Sequence, residues 1–324
     1  MIPIPPPVPR RLTPHCGGSQ GGAGTGGSEP EVDRDVRPED SVKADGDLGR
    51  EVKRIGTSIE VSHRFLDEAG DPTFFKKGRV LAIGQQGISL TFSLGMTRFK
   101  GDLSVIRTAL RRMQDEITHD EYLNRIKSVS KKIAKGGFFF HATDDPPEVR
   151  ERMFRFIRSL DCSLEMVVAR KIPALFAKKH HSRESEFYAD LLSHLIKTKL
   201  KTDQRLVLNI ANRGSSTQNI NLTLALDKAR ERFGKRWGNK DIRSSVVFNV
   251  QTPRTEPLLC IADYLCWSVQ RVFERGEMRH YDFVKEKVSL VVDLYDTENY
   301  AGGKNYYTRE RPLTAQNKLS PPLP

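Results

Sequence analysis

Cysteine is scarce in this chain of 324 residues: there are four, at 16, 162, 260 and 266, and no two form a Cys-x-x-Cys pair. That excludes the ordinary zinc-ligand spacings and a disulfide framework, and it fits reduced thiols in a reducing compartment. No stretch approaches the roughly 18 consecutive apolar residues that span a bilayer. The opening Met1-Ile-Pro-Ile-Pro-Pro-Pro lacks the apolar run of a signal peptide. A cytoplasmic protein with no membrane association is expected. No internal repeat is visible, which excludes solenoid and propeller architectures. A lysine-bearing P-loop spacing is also missing, so Gly214-Ser-Ser-Thr217 offers a phosphate only amides and hydroxyls.

Charge of one sign dominates the body. The formal net charge is +12. Residues 1–61 hold 8 Lys+Arg against 10 Asp+Glu, and the remainder holds 45 against 31, so the basic excess lies entirely beyond the N-terminal segment. A basic body suits a polyanionic partner, of which DNA or RNA is the commonest, or simply a soluble protein with a basic surface.

Residues 1–50 contain 8 Pro and 9 Gly and few large apolar groups. Such a segment cannot bury enough surface to offset its chain entropy, so 1–55 is expected to be a disordered tail. Residues 304–324, polar and proline-rich, are expected to be a loose C-terminal tail. One domain is then predicted over 56–303.

Within it, strands and helices alternate. Ser62–Asp67 reads as a strand closed by the turn Glu68-Ala-Gly-Asp-Pro72, and strands at Arg79–Ile83 and Ile88–Leu94 read as a hairpin about Gly84-Gln-Gln-Gly87. Leu103, Ile106, Leu110, Met113 and Ile117 mark an amphipathic helix. A second helix follows Asp145-Pro-Pro-Glu148, with Asp145 as its predicted cap. Strands at 163–169, 205–210 and 245–250 alternate with helices at 184–200, 222–233 and 257–275. The pattern predicts an α/β fold with a mixed sheet flanked by helices.

Three places could carry chemistry. Phe65-Leu-Asp67-Glu68-Ala-Gly70-Asp71 sets two carboxylates at a strand end and a third in the turn, an arrangement suited to divalent cations, although turn chemistry alone also explains it. Asp263 lies two turns inside an almost wholly apolar helix, where a carboxylate needs a cation, a metal or several hydrogen bonds. His141 follows three phenylalanines and could ligate a metal or act as a base, or only bond the next loop. Glu186, Asp190 and His194 share one helix face and are expected to face water. His180-His181 is expected in a basic loop. Glu165 and Asn209 lie on middle strands.

Phe65-Leu-Asp67-Glu68-Ala-Gly70, Phe140-His141-Ala142 and Ile261-Ala262-Asp263, in that order, resemble the motifs of the prokaryotic domain-of-unknown-function 3800 family. The resemblance implies a ribonuclease-H-like core in which the first strand and last core helix bring acidic residues together. Asp67 and Asp263 match those positions, with Glu68 or Asp71 as a third group and His141 accessory. The first hypothesis on such a core is a Mg2+- or Mn2+-dependent nuclease, a hydrolase whose metal is held by Asp67, Asp263 and Asp71. The alternative is a non-catalytic nucleic-acid-binding module of a mobile-element or defence system with a decayed site. A scaffold with purely structural acids is the third reading.

Overall fold

The structure, a computed structural model, describes residues 60–200, 204–212, 219–237 and 244–321. The expected tail over 1–55 and the Gly214-Ser-Ser-Thr217 segment lie outside the described residues.

The first strand sets the plan. In β1 (Glu60–Gly70) successive side chains alternate between two cores: Phe65 and Ala69 enter one, Leu66 the other. A strand buried on both faces belongs at the centre of a sheet, and β1 lies there. It pairs antiparallel with β4 (Thr91–Phe99), which pairs antiparallel with β5 (Cys162–Arg170). On its other side β1 pairs parallel with β6 (Gln204–Ala211), and β6 with β7 (Ser245–Gln251). The run β5-β4-β1-β6-β7 joins a three-stranded meander to two parallel strands reached through helices, which is the ribonuclease-H-like arrangement. Two more strands extend the meander side: β8 (Val288–Asp293) runs parallel to β5, and β9 (Tyr306–Tyr307) antiparallel to β8.

Helices cover both faces. On one lie α4 (Pro173–His180), α5 (Glu184–Ile196) and α6 (Asn219–Trp237), packed through Phe176, Phe187, Leu191 and Ala225. The opposite face carries α1 (Leu103–His119), α2 (Lys127–Ala134), α3 (Pro147–Ser159), α7 (Leu259–Arg275) and α8 (Arg279–Val284). Every residue of α7 from Leu259 to Val269 is buried. A helix apolar all round is a core helix, and α7 is roofed by the helices outside it. None of the described helices is long and apolar enough to cross a membrane.

Several expectations need correction. The hairpin between 79–83 and 88–94 does not form. Residues 82–88 instead make consecutive turns, with Gln85 N donating to Ala82 O and Ile88 N to Gln85 O, and the short β3 (Val80–Leu81) pairs with β2 (Phe75–Lys76). This releases β4 to pair with β1. Asp145 does not cap α3, whose N-cap is Pro146 without a side-chain bond. The segment 304–321 is docked: β9 extends the sheet, Leu313 is buried, and Leu319 N donates to Phe273 O.

Candidate functional site

On β1, Asp67 follows the parity of Phe65 and Ala69, so it faces α7. Its partner across the ladder is Gly95 of β4. A Cβ on Gly95 would overlap the Cys266 sulfur, so the glycine is what lets α7 rest directly on the sheet. Cys266 Sγ donates to the Asp67 carbonyl oxygen at 3.8 Å. Asp263 lies three residues earlier on α7, about one helical turn along the axis. After burial itself, Asp67 and Asp263 are the groups that push up the Cys266 thiol, and Asp263, Asp145 and Asp67 do so at Cys260. Two aspartates far apart in sequence thus share one neighbourhood around two buried thiols.

Asp263 is buried and takes a single hydrogen bond among the described residues, from Ala142 N at 2.7 Å. Burial raises its pKa. His141 and the Ala142 amide partly oppose that, and the Asp145 charge adds to it. Asp145 is the anchor beside it, accepting from Lys132 Nζ at 2.6 Å, His141 N at 2.8 Å and Tyr264 OH at 2.6 Å. The loop 141–145 therefore wraps the start of α7. The imidazole of His141 lies partly exposed at its rim, with Nδ1 3.3 Å from Asp144 but outside hydrogen-bond geometry.

The other candidate acids do not join this pair. Glu68 has the parity of Leu66 and belongs to the opposite face of the sheet, where it is buried. Asp71 lies four residues beyond Asp67, up to about 13 Å along an extended chain. It accepts from Ser89 N (2.8 Å), Ser89 Oγ (2.9 Å), Thr73 N (2.9 Å) and Lys171 Nζ (3.1 Å). Burial would raise the Asp71 pKa, but Lys171 and Ser89 outweigh it and hold it low. This aspartate is a turn anchor, occupied by its own loop. Glu165 has the parity of Val167, facing α5, and pairs with Lys199 at 2.6 Å.

On the α7 side, β6 presents Asn209 and Ala211. Asn209 is itself engaged, donating to Arg64 O and accepting from Asn249 and Gln251. Among the described residues no three His, Cys, Asp or Glu side chains converge as a metal-holding group. A pair of carboxylates still fits Mg2+, which commonly takes one or two carboxylates and completes its shell with water and substrate phosphates. It does not fit an all-protein cage.

The expected water-facing trio is also corrected. Asp190 is buried, bonded by Lys179, His180, Tyr295 and Arg232. His180 is buried at the end of α4 rather than exposed in a loop. The structure adds Lys132, Arg150, Tyr264 and Trp267 to this neighbourhood. Only the last two had a signal, as aromatics one and four positions after Asp263. No family model matches this chain, and no curated protein does.

Proposed function

We propose that this chain is a divalent-metal-dependent nuclease hydrolysing phosphodiester bonds of DNA or RNA, with Asp67 and Asp263 as the metal-holding pair. The observation that carries this reading is that Asp67, on the α7 side of β1, and Asp263 of α7 are both neighbours of the buried thiols Cys260 and Cys266. In a ribonuclease-H-like sheet the central strand and the last core helix are the elements that meet there. A bound Mg2+ or Mn2+ would polarise the phosphoryl oxygen and activate water.

The chain's own groups do the rest. Ala142 N–H fixes one oxygen of Asp263 and leaves the carboxylate in need of a cation. Lys132 neutralises Asp145, so that this acid does not compete for the metal. His141 stands at the rim as the accessory group. The basic body attracts the polyanion before any contact is made. The resemblance to the domain-of-unknown-function 3800 family and a cytoplasmic setting belong to the same proposal.

A second reading, the non-catalytic nucleic-acid-binding module, is favoured by the neutral Asn209 and Ala211 where β6 could have supplied a third carboxylate. One assay separates the two. Labelled single- and double-stranded DNA and RNA are incubated with the purified chain, with and without Mg2+ or Mn2+. Metal-dependent cleavage is expected, falling about 100-fold or more in Asp67→Asn and Asp263→Asn, the rate equivalent of a few kcal/mol. Binding without cleavage by the wild type favours the module. Cleavage that survives both substitutions removes the assignment.

A further inference from the structure

Between α3, α7 and α8 lies an open cleft of about 330 Å³, a size typical of small-molecule sites. Four arginines line it, and they are not equivalent. Arg155 is held by Glu151 at 2.8 Å and Arg271 by Glu277 at 2.7 Å. Among the described residues Arg150 has no carboxylate partner: its Nε donates to Ala142 O at 2.7 Å. Arg279 is exposed and without a partner among the described residues. Two guanidinium charges therefore stand uncompensated at one opening.

Phe154, His280 and Phe283 give the cleft an aromatic lining. Behind the lining residues, the buried Trp267 ring lies 5.1 Å from the Arg150 guanidinium and 4.9 Å from that of Arg271. His280 stacks on Phe154, with centroids 5.1 Å apart and planes 21° off parallel, and Phe283 lies at the rim. His280 also packs against Trp267, with centroids 4.8 Å apart, and its Nε2 lies 3.2 Å from Glu277, so this ring is part of the built wall rather than a free face. Charged forks beside stacked rings recognise a phosphate joined to a planar base.

Position ties the cleft to the carboxylate pair. Trp267 is four residues beyond Asp263, about one turn along α7. Arg150 holds the carbonyl of Ala142, and the amide of the same residue holds Asp263.

We infer that this cleft is a nucleotide subsite, with Arg150 and Arg279 taking the phosphate and the exposed Phe283 ring taking the base. As a subsite for a strand it rests on the nucleic-acid reading above; as a nucleotide site it stands on its own residues.

The test is a titration of the full chain in a Trp237→Phe background, which leaves Trp267 as the only tryptophan. Probes are AMP, inorganic phosphate and a short single-stranded oligonucleotide. AMP should change Trp267 emission and phosphate should do so more weakly. Arg279→Ala, on an exposed side chain, should keep the melting temperature and weaken the AMP and oligonucleotide affinities about five- to tenfold. It should also lower the oligonucleotide salt slope by about one. Oligonucleotide binding that is equal in wild type and Arg279→Ala, with no response to AMP, overturns the subsite and leaves the nucleic-acid reading intact. AMP binding without oligonucleotide binding supports the subsite and overturns the strand reading. No response to any probe overturns both.

Discussion

Ala142 is held from both sides of its backbone: its amide donates to Asp263 at 2.7 Å, and its carbonyl accepts from Arg150 at 2.7 Å. One residue of a loop thereby couples α3 to the buried carboxylate of α7. The loop can serve this purpose because Asp145 pins it, through the His141 amide, Lys132 and Tyr264.

That pin is the first target. Lys132 is the sole cation on a fully buried Asp145 carboxylate among the described residues. Lys132→Met should cost about 3–5 kcal/mol in urea unfolding, because it strands a buried charge. Adding Asp145→Asn should recover much of the loss. Equal stability of Lys132→Met and wild type would show that Asp145 is satisfied without the lysine.

The close approach of α7 gives a second. At Gly95 an added Cβ would overlap Cys266 Sγ and come within 2.9 Å of Leu164 Cδ1. Gly95→Ala should destabilise by about 1–3 kcal/mol or more through overpacking. Because the main clash is with one sulfur, Cys266→Ala should relieve part of it, so the double mutant should be more stable than the sum of the singles. Strict additivity in denaturant titrations would show that the helix does not rest on this glycine.

The elements around these residues were unevenly legible. The adjacent Phe65 and Leu66 and the apolar run about Asp263 locate β1 and α7, since both are core elements, although β1 continues to Gly70 through residues expected to form its closing turn. The alternation of side chains along a strand separates Asp67 from Glu68, a consequence the motif conceals by placing the two acids side by side. Asp190 departs from expectation for a different reason. A single apolar stripe on α5 suggests one buried face, but Arg232 of α6 and Lys179 of α4 cover the polar one and convert it into an ion cluster. Such long-range pairing leaves no periodicity. Leu313 and Leu319 are too few in a proline-rich stretch to announce docking, yet β9 gives that stretch a sheet edge to join.

The ion cluster predicts an acid limb in stability. Burial, with the Arg232 and Lys197 charges, pushes His194 down to about 3 from its ordinary 6.5. The folded state therefore binds fewer protons than the unfolded one between those values, and stability falls as pH drops from about 6.5 towards 3. His194→Gln should flatten that part of the limb in pH-dependent urea unfolding. An unchanged slope would mean that His194 titrates as it does in a free chain.

Asp263 gives the opposite sign. Its folded pKa is raised by burial above the usual carboxylate range, so the folded state binds the proton more tightly than the unfolded chain. Stability contributed by this group is then greatest in acid and declines as pH rises from the unfolded value through the folded one. At neutral pH without metal the ionised form is a net cost, and Asp263→Asn, nearly equal in volume, should be as stable as the wild type or more so. Magnesium should reverse the ranking. A cation held by Asp67 and Asp263 stabilises only the folded state, by about 2.7 kcal/mol at one hundred times its dissociation constant. The wild-type melting temperature should rise with Mg2+ or Mn2+, and that of Asp263→Asn and Asp67→Asn should not. If all three respond alike, the ion binds elsewhere. If none responds while the pH signature of Asp263 persists, the aspartate is a structural acid held by Ala142 alone.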